Sequence, residues 1–164
     1  MSDSDTTAAI PPAAQRVQEA ARRLGLDITA REMAESTRTA EDAAAACGVT
    51  VGQIVKSLVF VGAQSGRPYL LLVSGSNRVN ETGVAAHLGE ALRRPDGRSV
   101  RDMTGFAIGG IPPFGHDRPL RTYMDADLLQ YDVVWAAAGT PRSVFAVHPD
   151  RLREAVKAEV IAVV

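Results

Sequence analysis

The stretch IVKSLVFVG (54–62), followed after the five residues AQSGR by PYLLLVSG (68–75), decides the fold. Both runs are rich in β-branched and large apolar residues, and the linker between them carries a glycine. They therefore read as a β-hairpin, in strands apolar enough to be covered on both faces. Working outward, RVQEAARRLG (16–25) has apolar residues at helical spacing and a closing glycine. Thr39 stands as an N-cap before Ala40, Glu41 and Asp42, and the alanine run after it predicts a helix ending near Gly48. Asn80 caps a second short helix closing at Gly89, and RSVRDMTGF (98–106) predicts one more helical turn. Strands are expected at 120–125, 131–139 and 143–148. Pro149 opens an amphipathic last helix, and EVIAVV (159–164) is a candidate closing strand. Helices and strands thus alternate while several strands are joined by hairpins. The pattern predicts an α/β or α+β domain with a mixed, largely antiparallel sheet.

Composition narrows the function classes. The chain has 164 residues, 46% of them hydrophobic, with 18 basic and 19 acidic side chains. This is the balance of an ordinary globular domain. Residues 1–15 hold two acids, no base and a Pro-Pro pair, and are expected to be a flexible tail before a domain at 16–164. Without them the balance is 18 against 17, or +1, which is not the strongly basic surface of a protein that grips long nucleic acids. Cys47, the single cysteine, excludes a disulfide framework and in its alanine run reads as a packing residue. No apolar run approaches the roughly twenty residues of a membrane span, so the cytoplasm is the expected compartment. The sequence contains neither G-x-G-x-x-G nor G-x-x-x-x-G-K-[ST], and no G-x-S-x-G around Ser74, Ser76 or Ser143. His87, His116 and His148 lack metal-ligand spacing, so no metal or cofactor is expected. Asp125 and Asp127 read as turn residues before a helix.

Two features carry chemistry. Lys56 interrupts an apolar strand in a chain whose 18 cations comprise sixteen arginines and only Lys56 and Lys157. A lysine there either snorkels to an edge or points into a polar pocket, where a compact ammonium suits a phosphate or a carbonyl. The loop AIGGIPPFGHDRP (107–119) places Gly109 and Gly110, free to take positive φ, before the stiffening Pro112 and Pro113. A rigid loop with exposed N–H groups can bind an oxyanion. His116, beside it, is a candidate neighbour of the site.

Together these residues resemble the YbaK/EbsC family, whose fold also forms the editing domain inserted in many bacterial prolyl-tRNA synthetases. The resemblance runs over about residues 16–164 and is carried by TAEDAAAACGV (39–49) with QIVKSLVF (53–60), LLVSGSNRVN (71–80), TGFAIGGIPPFGH (104–116) and VVWAAAGTPRSVFAV (133–147). It implies a barrel-like mixed α/β domain that acts in trans on the 3′ end of aminoacyl-tRNA, hydrolysing the ester of a mischarged tRNA of the tRNA(Pro) type without a metal. Carried over by position, it assigns Lys56 to the phosphate or ribose of the terminal adenosine. Ser57 is its polar neighbour, and Gly109, Gly110 and Ile111 present backbone groups to the aminoacyl carbonyl and ammonium. Pro112, Pro113, Phe114, His116, Gly139 and Thr140 complete the implied substrate-binding set. Prolyl-tRNA synthetase is an implied partner, and a non-catalytic module binding aminoacyl-tRNA or a synthetase is the alternative. The late strands depart from the family: AAAGTPRSVF has no acid, and Thr140-Pro141 stands where members acting on alanine carry a histidine-proline pair. The amino acid removed is left open.

Overall fold

The computed structural model describes residues 10–164. Most of the stretch read as a tail lies outside them. Its last part does not behave as one: helix α1 spans Pro12–Arg23, and Ile10, Ala14, Val17 and Ala21 are buried. The Pro-Pro pair, read as a sign of disorder, is instead a helix start, with proline in the first turn where its missing N–H costs nothing.

The hairpin forms as predicted. β2 (Ile54–Gly62) pairs antiparallel with β3 (Pro68–Ser74), with Lys56 opposite Val73. β3 continues the sheet in parallel with β5 (Arg121–Asp125), and β5 in parallel with β8 (Glu159–Ile161). On its other side β2 runs parallel to β6 (Val134–Ala137), which pairs antiparallel with β7 (Ser143–Val147), and β7 with the short β1 (Arg31–Glu32). β4 (Leu92–Arg93) adds to the far end of β2. The sheet is mixed, and among the described residues its path is open between β1 and β8.

Alternation along β3 explains the continuous apolar run. Leu70 and Leu72 face a core shared with Val17, Ala21, Phe114 and Phe145, while Tyr69, Leu71 and Val73 face a second core with Phe60, Val84 and Tyr123. Helix α2 (Ala40–Cys47) covers Ile54 with Ala43 and Ala44. Its predicted cap is present: Thr39 Oγ1 accepts from the Asp42 N–H at 3.0 Å, and Gly48 closes it at φ 70°. Helices α3 (Glu81–Leu88), α4 (Gly97–Thr104) and α5 (Pro149–Val156) complete the described α-helices, capped by Asn80, Asp96 and His148. The 98–106 segment is therefore two full turns, longer than the single turn expected.

One irregularity positions the site. β2 and β6 pair at only two positions, Ile54 with Trp135 and Val55 with Ala136. β6 then ends at Ala137, and β4 reaches β2 only at Val61 and Gly62. Between these contacts one edge of β2 is open.

Candidate active site

A cavity of about 390 Å³ occupies the space where β2 and β6 part. Ile54, Val55, Ile111, Ala136 and Val144 give it apolar walls, and Thr37, Arg38, Lys56 and Ser57 bring polar groups to it. The sequence-derived candidates Lys56, Ser57, Gly109 and Ile111 all line it.

Lys56 is half-buried, and its ammonium donates to the backbone carbonyl of Asn77 at 2.5 Å. That carbonyl is held from behind. The Asn77 side-chain amide donates to Asp125 Oδ2 and to Asp127 Oδ2, both at 2.8 Å. Asp125, 1% exposed, also accepts from the backbone N–H of Ser74 at 3.0 Å and of Asp127 at 2.9 Å. The strand-end carboxylate thus fixes the turn that leaves β3, and the turn fixes the lysine. Burial pushes the Lys56 ammonium below the ordinary lysine pKa. Glu41 opposes the shift, Arg78 reinforces it and Asp125 opposes it.

Ser57, the next residue, differs. Its Oγ is buried and, among the described residues, is the only such side-chain oxygen or nitrogen with no hydrogen-bond partner. Such groups are rare in folded proteins, and this one lies on a residue that lines the cavity.

The Gly109-Gly110 pair is required by contact as well as by conformation. Gly109 sits at φ 100°, and a Cβ on it would meet Arg38 Cγ and Nε at 3.0 Å. A Cβ on Gly110 would lie 2.8 Å from the backbone of Thr140. The loop is therefore clamped onto the turn after β6, and the Gly139 N–H donates to the Gly110 carbonyl at 2.9 Å. Since the Gly110 N–H is also engaged, donating to Ala107 at 3.1 Å, Gly110 holds the loop in place while Gly109 and Ile111 face the cavity.

The remaining candidates do not line the cavity. Pro112, Pro113 and Phe114 are buried behind the loop, with Phe114 packed on Phe145 at a ring separation of 5.5 Å. His116 Nε2 donates to the Pro112 carbonyl at 2.7 Å, and its ring borders a separate surface cleft with Pro12 and Arg16. Burial holds its pKa below the ordinary histidine value, while the bond to Pro112 and the nearby Asp117 pull the other way. Gly139 and Thr140 form the turn that backs Gly110. A Cβ on Gly139 would lie 2.8 Å from the Ala13 carbonyl oxygen, and Thr140 Oγ1 donates to Ser143 Oγ at 2.7 Å.

Residues that pattern reading passed over also belong here. Arg38, Thr37 and Trp135 line the cavity, and Asn77 and Asp125 support Lys56. Asp125 caps the turn after β5, as expected, but it also reaches across to β3. Cys47 is half-buried and lies off the cavity, and burial raises its thiol pKa, as suits a packing residue. Among the described residues no three His, Cys, Asp or Glu side chains gather as a metal ion would need. No helix among them is long and apolar enough to cross a membrane.

Comparison with known proteins bears on what this cavity is for. The profile of the family described as "Aminoacyl-tRNA editing domain" matches residues 34–155, a span containing every cavity-lining residue. YwhH of Bacillus subtilis, of uncharacterised function, is 30% identical over 128 residues, covering 78% of this chain and 80% of that protein. The candidate Cys-tRNA(Pro)/Cys-tRNA(Cys) deacylase EbsC of Enterococcus faecalis is 28% identical over 108 residues, 64% of each chain. Among solved structures, a candidate trans-editing enzyme for prolyl tRNA synthetase superposes with a TM-score of 0.89 at 48% identity, covering 94% of this chain and 98% of that one.

Proposed function

Since the chain belongs to the aminoacyl-tRNA editing domain family, we propose that it is a trans-acting deacylase that removes a misattached small amino acid from the 3′ end of a tRNA of the tRNA(Pro) type. The observation that carries this reading is the pairing across one cavity of a braced, half-buried lysine with the Gly109–Ile111 loop. Lys56 takes the phosphate or ribose of the terminal adenosine, and Ser57 offers its free hydroxyl beside it. Gly109 and Ile111 present backbone groups to the aminoacyl carbonyl, while Gly110, Gly139 and Thr140 keep that loop in register. Pro112, Pro113, Phe114 and His116 stiffen it from behind.

An aminoacyl ester is already activated. Water adds to the carbonyl carbon, the bond to the ribose oxygen breaks, and that oxygen leaves with a proton. Positioning the ester and stabilising charge on the carbonyl oxygen are sufficient catalytic devices, and the vicinal ribose hydroxyl is available to assist. No protein nucleophile is assigned, and hydrolysis is expected to survive a chelator. The apolar walls admit a small side chain; because one methylene is worth only about 1–3 kcal/mol, they set a preference and not an absolute filter. Prolyl-tRNA synthetase, the source of such mischarged tRNA, is the natural partner, and the cytoplasm is where both would meet.

The test is release of amino acid from a panel of mischarged tRNAs by wild type beside Lys56→Ala. Turnover of at least one substrate, lost in the variant, is expected. No turnover on the full panel would sink the enzymatic reading. Tight binding of charged tRNA without release, abolished by Lys56→Ala, would point to a binding module in its place.

A further inference from the structure

We propose that Arg38 and Lys56 together clamp the phosphodiester on the 5′ side of the aminoacylated nucleoside, so that the protein recognises the end of an RNA strand and not an aminoacyl nucleoside alone. The proposal rests on the deacylase reading above and adds to it a second, unassigned phosphate ligand.

Four observations carry it. Arg38 and Lys56 are the only charged side chains lining the cavity among the described residues, and no carboxylate lines it. Arg38, like most of the arginines, makes no ion pair among those residues, so no carboxylate holds its guanidinium away from a ligand. Its stem lies against Gly109, where an added Cβ would stand 3.0 Å from Arg38 Cγ and Nε, so the side chain packs on the loop assigned to the acyl group. Lys56 has one protein acceptor, the Asn77 carbonyl, which leaves two of its three ammonium hydrogens for a ligand.

Two cations sharing a cavity without an acid repel one another until an anion arrives. A phosphodiester suits the pair: its two free oxygens match the planar fork of arginine on one side and the compact ammonium of lysine on the other. Arg78 adds positive charge near Lys56, and Glu41 opposes it without lining the cavity. Thr39, the N-cap of helix α2, directly follows Arg38, and Thr39 and Ala40 also line the cavity, which adds the favourable end of the helix dipole. This near-neutral chain would then hold RNA locally, by one or two phosphates, which is what its overall charge permits.

The experiment compares wild type, Arg38→Ala and Arg38→Lys on three substrates with the same misattached amino acid: the full tRNA, the 3′-aminoacyl ester of 5′-AMP, and that of adenosine without phosphate. Arg38→Ala should raise KM for the tRNA about tenfold, the weight of one charge-assisted hydrogen bond, with kcat within about twofold. Its effect should vanish on the phosphate-free ester, and Arg38→Lys should recover part of the loss. An effect on the nucleotide equal to that on the tRNA places the clamped phosphate on the terminal nucleoside itself. The slope of log affinity against log salt should fall by about 0.7 per lost contact, read with an uncharged RNA oligonucleotide ending in CCA. That binding arm stands apart from catalysis, so it tests the clamp even if no ester is cleaved. Because Arg38 is exposed, its variants should melt like wild type. An unchanged KM and salt slope, or an equal loss on the phosphate-free ester, would overturn the proposal.

Discussion

The two ends of the β2–β3 hairpin treat their charged groups in opposite ways. At the turn end, the Glu90 carboxylate accepts from the N–H groups of Gln64 and Ser65, from Ser65 Oγ and from Tyr69 Oη, at 2.6–3.0 Å. Those bonds, led by the Ser65 side chain, hold its pKa at about 2. At the cavity end, Lys56 has one carbonyl, Ser57 has no partner, and burial disfavours the lysine's charge. A saturated charge ties a turn together and has nothing left to give. An under-satisfied one is stabilised further only when a ligand arrives.

The contrast is open to attack, and the largest expected effect is at Lys56. Lys56→Ala should slow deacylation by roughly a hundredfold or more, the weight of one electrostatic group at a reacting centre. It should barely shift the melting temperature, since only one hydrogen bond is lost. In wild type, activity that needs the ammonium should decline with rising pH at values below those of an ordinary lysine, because its pKa is lowered. A substantial melting loss would make Lys56 structural, like Glu90. Asp125→Ala should combine both losses, because three donors lose their acceptor inside the protein. About 3 kcal/mol of stability should go in denaturant titrations, with deacylation falling as Asn77 and Lys56 lose their brace.

Glu90→Gln should leave deacylation untouched and change acid stability. A carboxyl whose pKa is lowered from 4.5 to about 2 by folding contributes stability above about 4.5 and loses it as pH falls toward 2. The glutamine variant should be less stable at neutral pH and flatter across that window in thermal melts. Unchanged acid sensitivity would show that the carboxylate is not what ties the turn. The smallest effect is expected at Ser57. Removing an unpartnered hydroxyl by Ser57→Ala should leave stability the same or raise it by up to about 1 kcal/mol, while deacylation slows. A clear loss of stability would mean that the hydroxyl already has a structural partner.

Local signals made most of the fold legible. The hairpin, the Thr39 and Asn80 caps, the helix stops at Gly48 and Gly89, and Pro149 each act within a few residues, so reading them required no tertiary knowledge. The start of α1 was hidden because Pro11-Pro12 suits both a loose segment and a helix N-terminus, and only the burial of Ile10 and Ala14 decides between them. Lys56 and the double glycine stood out because each breaks its local rule. Arg38, Asn77 and Asp125 break none: an arginine before an N-cap and an aspartate at a strand end are ordinary surface residues until the sheet brings them together. His116 was visible for its type, yet its ring braces the loop from the side away from the cavity.

The most direct test measures release of amino acid from one mischarged tRNA by wild type, Lys56→Ala and Glu90→Gln side by side. Glu90→Gln is expected to keep the wild-type rate at neutral pH and Lys56→Ala to lose it. Equal rates for Lys56→Ala and wild type, with both folded, would contradict that expectation.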